Sequence, residues 1–418
     1  MKWRESIGRG AFLACSWTWC IGMFLPVILI AEFGWPGWLV FAVPNVLGAM
    51  AMGLILRRPG AAEGLRQAHP GAMVAFSIVT MAFHAFFAAW LAIEWMAMLP
   101  MRDLPGDAPL WLYAITTELS KPWLLALVVW FFAMLMSRTD SNAWKRWAMI
   151  FFGISALLIT ASVMLGVDDR VPLLPAMTGL SDASGLLWLA PVCIFGFALC
   201  PWLDLTFLRT RIETPGRTGD LAFLLGFGGF FLAMITGTLL YAGTLVVLWT
   251  MGGLVITHIV IQSIFTVGAH MRELIAILAP RSAILTIGAL LLPLAAWIVP
   301  PLLDQALGNV SAYLVFMAAY GLVFPSYVWI VMIPRRRMLG TLAGRLALPA
   351  CIGAICLAAP LFWIGFIERH WWALAPGVAI PLLTPAALAL FAGRGVAGAP
   401  ARSSAEKPVE RAETVRNA

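Results

Sequence analysis

The stretch "CIGMFLPVILI" (residues 20–30) lies inside an apolar run long enough to cross a membrane, yet Gly22 and Pro26 interrupt its middle. A second stretch, "CIFGFALCPWLDL" (residues 193–205), repeats the order Cys-Ile, Gly, aromatic, Leu, Pro. In hydrocarbon an unpaired backbone N–H or C=O costs several kcal/mol, so irregular backbone survives at mid-depth only where it lines a cavity or is buried in protein. Pro26 and Pro201 each remove a donor and displace the carbonyl a turn earlier, while Gly22 and Gly196 let the chain unwind. One such break reads as a proline kink satisfied by neighbouring helices. Two in matching order call for a common cause.

The rest of the chain says what surrounds them. Of 418 residues, 62% are hydrophobic and only 11% charged, more apolar surface than a soluble domain of this length can hide. A net charge of +7 would suggest nucleic acid in a soluble protein, but here the basic residues fall in short gaps between apolar runs rather than in one patch. The expected partners are therefore the lipid bilayer and a small-molecule solute, with no nucleic acid. All six cysteines lie in apolar runs without metal-ligand or C-x-x-C spacing, so they read as packing residues and no metal or cofactor is expected. The N-terminus "MKWRESIGRG" imitates a secretory signal, but the apolar run continues past Ile30 without a small-residue cleavage site and reads as a retained first span.

A bilayer core takes about 20 residues of helix, and that ruler predicts an all-α polytopic protein of about twelve spans: 10–31, 36–56, 72–99, 122–137, 147–166, 186–207, 221–243, 250–271, 282–301, 311–333, 346–367 and 371–392. The cut within 221–271 is placed near Gly252 and Gly253. With both termini cytoplasmic, all but four of the 27 Lys and Arg (Arg102, Lys121, Arg170 and Arg369) fall on the inner side, as the positive-inside rule requires. Arg outnumbers Lys as in a GC-rich bacterial genome, and the bacterial plasma (inner) membrane is the expected location. The tail 393–418 is rich in Pro, Ala and charge and is expected to be disordered and cytoplasmic.

If spans one to five repeat as six to ten, an odd number per repeat forces inversion, and the two interrupted spans become symmetry mates. Interrupted segments at corresponding positions are the best sequence pointer to a transporter site. In this layout the chain resembles the five-plus-five inverted-repeat transporters of the LeuT fold, which include amino-acid/polyamine/organocation carriers and sodium:solute symporters. The resemblance implies a cytoplasmic start at 1–9, a first repeat at 10–166, an inverted second repeat at 186–333 and two peripheral helices at 346–392. It further implies secondary active transport of a small, organic solute by alternating access, coupled to Na+ or H+. Substrate contacts would come from Trp19, Gly22, Met23, Phe24, His84, Gly196, Phe197 and His258. A coupling ion would meet carbonyls near Cys20 and Met23 and the hydroxyls of Ser263 and Thr266, although Val267 stands where the family usually carries a second hydroxyl.

Ionisable side chains at mid-depth are few: His84 in the third span, His258 in the eighth, Glu94 toward the outer end of the third and Asp204 toward the inner end of the sixth. Each histidine reads either as a site group or as helix packing. Glu94 and Asp204 read as structural. "LLGFGGFFLAMITG" (224–237) has no preceding strand or following Lys, so its small residues serve helix approach rather than a nucleotide. Three alternatives stay open. They are a membrane-embedded enzyme acting on a lipid-linked substrate, a 6+6 major-facilitator-type transporter, whose charged Gly-rich motif "RRPGAAEGLRQAHP" (57–70) does not match, and bis-histidine haem ligation by His84 and His258.

Overall fold

The computed structural model describes residues 2–98, 121–166, 183–242, 249–303, 308–334 and 342–396, and these are helical with no strand among them. Ten helices are long and apolar enough to cross a membrane, or eleven if Trp3–Trp17 and Cys20–Phe33, bent by 60°, form one span. Pro122–Ser137 is apolar but shorter. The predicted tail beyond 396, the side chain of Glu94 and most of the acidic outer loops lie outside the described residues.

The chain opens with α1 (Lys2–Trp17) and α2 (Cys20–Phe33). Helix begins at Lys2, and Ser6 and Arg9 are buried, so residues 2–9 pack as the start of the first helix. At Gly34 a positive φ of 70° turns the chain directly into α3 (Trp35–Ile55), a conformation that glycine adopts without Cβ strain. After the short α4 (Ala61–Ala68) come α5 (Pro70–Met98), α6 (Pro122–Ser137) and α7 (Ser141–Gly166). Asp140 starts α7 by accepting from the amides of Asn142 (2.8 Å) and Ala143 (2.7 Å). Those amide bonds, Ala143 first, hold its carboxyl below the usual range.

Next come α8 (Gly185–Leu199), a 3-10 turn (Cys200–Leu203) and α9 (Leu205–Glu213). The segment Arg217–Tyr241 comprises α10 (Arg217–Leu225), a π-helical stretch (Gly226–Phe231) and α11 (Leu232–Tyr241). The long α12 (Trp249–Leu278) contains Gly252 and Gly253, so the cut predicted there falls earlier, between Tyr241 and Trp249. It also runs seven residues past the predicted end at 271. A further segment holds α13 (Ala283–Leu291), a 3-10 stretch (Leu292–Ile298) and α14 (Val299–Leu303). Then follow α15 (Asn309–Ala318), the π stretch Ala319–Val323, α16 (Phe324–Tyr327) and the π stretch Val328–Met332. The hairpin of α17 (Leu342–Phe366) and α18 (Leu374–Val396) completes the described chain.

Polarity is distributed inside out. Leu39, Val43, Leu47 and Ile55 make an exposed stripe along α3, and Leu127, Phe131 and Leu135 do so along α6, ridges at helical spacing that suit lipid contact. By contrast His84, His258, His270, Asp204 and Glu273 are each no more than 1% exposed. Such burial of ionisable groups beneath an apolar exterior is what a bilayer demands, and the chain is described as an integral membrane protein. Inside, α1 lies along α10 and α3 along α8, while α5 packs on the 292–298 stretch and α12 on α6 and α7. The hairpin helices pair with each other, and α18 rests on α8.

Candidate functional site

The first helix breaks at Thr18 and Trp19, not at Gly22 and Pro26. Trp19 is extended (φ −81°, ψ 176°) and Pro26 sits within the continuous helix α2. This corrects the predicted position of the break by one helical turn. The reason lies in the capping of the carbonyls that the break frees. The Thr266 hydroxyl donates to the Cys15 carbonyl (3.2 Å), the Trp19 indole N–H folds back onto the Ser16 carbonyl, and the Trp19 amide donates to the Trp17 carbonyl (2.9 Å). On the far side, the first amides of α2 have no intrahelical acceptor, and Ile21 and Gly22 line a central cavity with Trp17, Trp19, Asn45, Phe197, Cys200 and Tyr320.

The second interruption begins after Gly196, which lies within the continuous helix α8. Pro201 sits in the 3-10 turn, and Asp204 is extended (φ −77°, ψ 111°) before α9 starts. The Asp204 carboxylate caps α9 through Oδ1, which accepts from the Thr206 amide and hydroxyl, both at 2.7 Å. The Thr206 hydroxyl also meets Ser16 Oγ at 3.1 Å. Side chains thus tie the two interruptions directly to each other.

The central cavity is small, about 10 Å³, room for about one water. Above it a second cavity of about 50 Å³ is lined by Cys193, Gly196, Phe197, Tyr320, Glu32 and Arg369, among others. Phe197 and Tyr320 border both, so these two rings partition the interior. The π stretch beginning at Ala319 carries Tyr320, whose hydroxyl meets Thr80 Oγ1 at 3.0 Å. An Arg369–Glu32 ion pair lies at the edge of the upper cavity. At the opposite end Arg9, Arg209, Glu213 and Glu273 form a chain of ion pairs joining α1, α9 and α12, and Lys145 of α7 pairs with Glu5.

Of the residues singled out from sequence, Trp19, Gly22, Gly196 and Phe197 line these cavities. Phe24 packs among Phe87, Trp90 and Tyr313. His84 lies on α5 with Nδ1 2.8 Å from the Thr80 carbonyl and Nε2 without a partner. His258 stands apart, its ring against Tyr241. The ion ligands implied by the resemblance are each already hydrogen-bonded. The Cys20 carbonyl accepts from Tyr313 (3.1 Å), the Met23 carbonyl from Tyr241 (2.6 Å), Ser263 donates to its own helix at Ile259, and Thr266 donates to the Cys15 carbonyl (3.2 Å). Each of these groups thus has its hydrogen-bond partner outside the set of four.

Sequence reasoning missed Tyr313, Tyr320, His270 and Glu273. His270 meets Ser77 at 3.1 Å through Nδ1, its ring 5.8 Å from that of Trp19, and its Nε2 has no partner. A signal existed: Gln262, Thr266, His270 and Glu273 recur every three or four residues and mark one face of α12. Among the described residues no group of three or more His, Cys, Asp or Glu is placed to hold a metal ion. No family model matches the chain, and no curated protein matches it.

Proposed function

We propose that the protein is a secondary active transporter of a small organic solute, working by alternating access around the interrupted first and sixth spans and coupled to Na+ or H+. The observation that carries this is the pair of interruptions, at Thr18–Trp19 and at Asp204, joined through Thr206 and Ser16 beside a buried cavity. Half-helix ends at mid-depth are the binding elements that such carriers use.

Packing supports the same reading. Counting the bent pair as one span and Pro122–Ser137 as another gives twelve, with spans eleven and twelve formed by α17 and α18. A shift of five spans then turns the contact of α3 with α8 (second on sixth) into that of α10 with α1 (seventh on first). It likewise turns α5 on the 292–298 stretch (third on ninth) into α12 on α6 (eighth on fourth). An inverted five-plus-five core, which we propose has both termini cytoplasmic from the distribution of Lys and Arg, is consistent with this pairing. In the closed conformation the cavities are too small for an organic solute, so the solute's space opens only when helices move.

That movement is the test. Spin labels at exposed Trp3 and Ile284 (56% and 82% exposed), introduced as Trp3→Cys and Ile284→Cys in an otherwise cysteine-free protein in vesicles, should give two distance populations. Their ratio should shift when an ion gradient is imposed. One narrow, invariant distance would overturn alternating access.

A further inference from the structure

Asp204 is 0% exposed, and its carboxylate is only half used. Oδ1 serves as the cap of α9 and accepts twice from Thr206, and the Phe207 amide also acts on the carboxylate, while Oδ2 has no partner within hydrogen-bond distance. Capping explains the first oxygen and leaves the second unexplained, because a carboxylate oxygen buried away from water without a donor is destabilising. The group also sits on the bridge between the two interruptions, since the same Thr206 hydroxyl reaches Ser16, two residues before the first break begins.

Charged neighbours do not fill the gap. Packed against the turn are α3, which brings the neutral Asn45, α5, which brings His84, Phe324–Tyr327, which brings Tyr327, and Val328–Met332, which brings no ionisable group. Against α9 pack α12 with His270 and Glu273 and α1 with Arg9, and the Tyr320 carbonyl accepts from the Cys200 thiol of the turn. Glu273 and Tyr320 are within electrostatic range of Asp204. Both nearby arginines are already committed, Arg209 to Glu273 and Glu213, and Arg9 to Glu5 and Glu213. On α4, Glu63 and Arg66 pair with each other. A metal cation would need space and about six oxygens, yet Asp204 borders neither the central nor the upper cavity, and its hydroxyl neighbours are occupied. A proton needs no cavity.

We propose that Asp204 is a proton-binding site, loaded at Oδ2 in one phase of the cycle and emptied in the other, and so the group through which a proton gradient drives the helices. Loading forms one O–H bond with a proton from water and leaves the carboxyl neutral; emptying reverses it. A neutral carboxyl accepts more weakly from Thr206 than a carboxylate does. Ser16 gives its own proton to the Leu13 carbonyl, so the single Thr206 hydroxyl proton turns from Asp204 to Ser16 Oγ on loading, which tightens the tie to the first span, and emptying releases it. The proposal rests on the transport reading and selects the proton as the coupling ion.

Infrared difference spectra of the full-length protein, titrated with acid in vesicles of phosphatidylethanolamine and phosphatidylglycerol, test it without any solute. The other Asp and Glu titrate in every variant, so the band read is the component that distinguishes wild type from Asp204→Asn. One protonated-carboxyl component should titrate in the wild type, vanish in Asp204→Asn and persist in Glu273→Gln. Absence of the band in the wild type, or its survival in Asp204→Asn, would overturn the proposal. Should Asp204→Asn not fold, Thr206→Val must shift the frequency of the band, and an unshifted band overturns it equally. Failure here leaves the spin-label result untouched, whereas immobile helices with an intact titration would remove transport and keep the proton site.

Discussion

Gly48 and Gly196 show how single positions set the spacing of the core. A Cβ on Gly48 would lie 2.2 Å from the Phe197 carbonyl oxygen, and one on Gly196 would lie 2.8 Å from that of Tyr320. Both clashes are with backbone, so α3 or α8 would have to move. Gly48→Ala is therefore expected to cost about 1–3 kcal/mol, read as a lowered thermal unfolding midpoint in detergent. Gly22→Ala, whose nearest contact would be an ordinary 3.5 Å from Phe231, should leave the midpoint unchanged. Equal midpoints for Gly48→Ala and wild type would contradict this account of the α3–α8 contact. Gly22 was legible as a site residue, but its supposed role in the break was not, because the break is decided by which side chains can cap the freed carbonyls.

Among elements, the α17–α18 hairpin has the least expected role. The sequence makes it peripheral, yet its connecting turn holds Arg369 at φ 62°, within the left-handed region that non-glycine residues rarely occupy. There Arg369 pairs with Glu32 and lies 5.9 Å from the centroid of Trp371. Cys193 lies buried in the cavity that this pair borders. In a variant keeping Cys193 as its sole cysteine, Arg369→Ala should speed modification by a membrane-impermeant thiol reagent roughly fivefold, the effect of losing about 1 kcal/mol of closure. An unchanged rate would show that the turn does not cover the upper cavity.

For the molecule as a whole, the ion pairs of α1, α7, α9 and α12 fasten together the end at which α1 begins. Burial alone would raise the Glu213 carboxyl, but the Ser141 hydrogen bond and the Arg9 and Arg209 charges outweigh it and hold the group below its usual range. A carboxyl depressed in the folded state contributes stability that is full above its unfolded pKa and is lost as pH falls through the folded value. Acidification below the ordinary carboxylate range should therefore lower the thermal midpoint of the wild type. The fall should be smaller in Glu213→Gln, which has no such charge to lose. Parallel curves for the two proteins would remove this contribution.

The amino-acid sequence by itself determined the membrane habit and the presence of two interruptions. Hydropathy is a local sum, and the missing N–H of Pro201 acts on its own turn wherever the helix lies. Only the tertiary structure decided that the first break falls at Thr18–Trp19, because that depends on the Trp19 indole reaching back to Ser16. It likewise drew His270 and Glu273 inside, where a linear ruler ends the span at 271, and it joined Asp204 to Ser16 across 188 positions through Thr206, 190 residues from Ser16. Which faces of separate helices meet is a property of packing, and no window along the chain contains it.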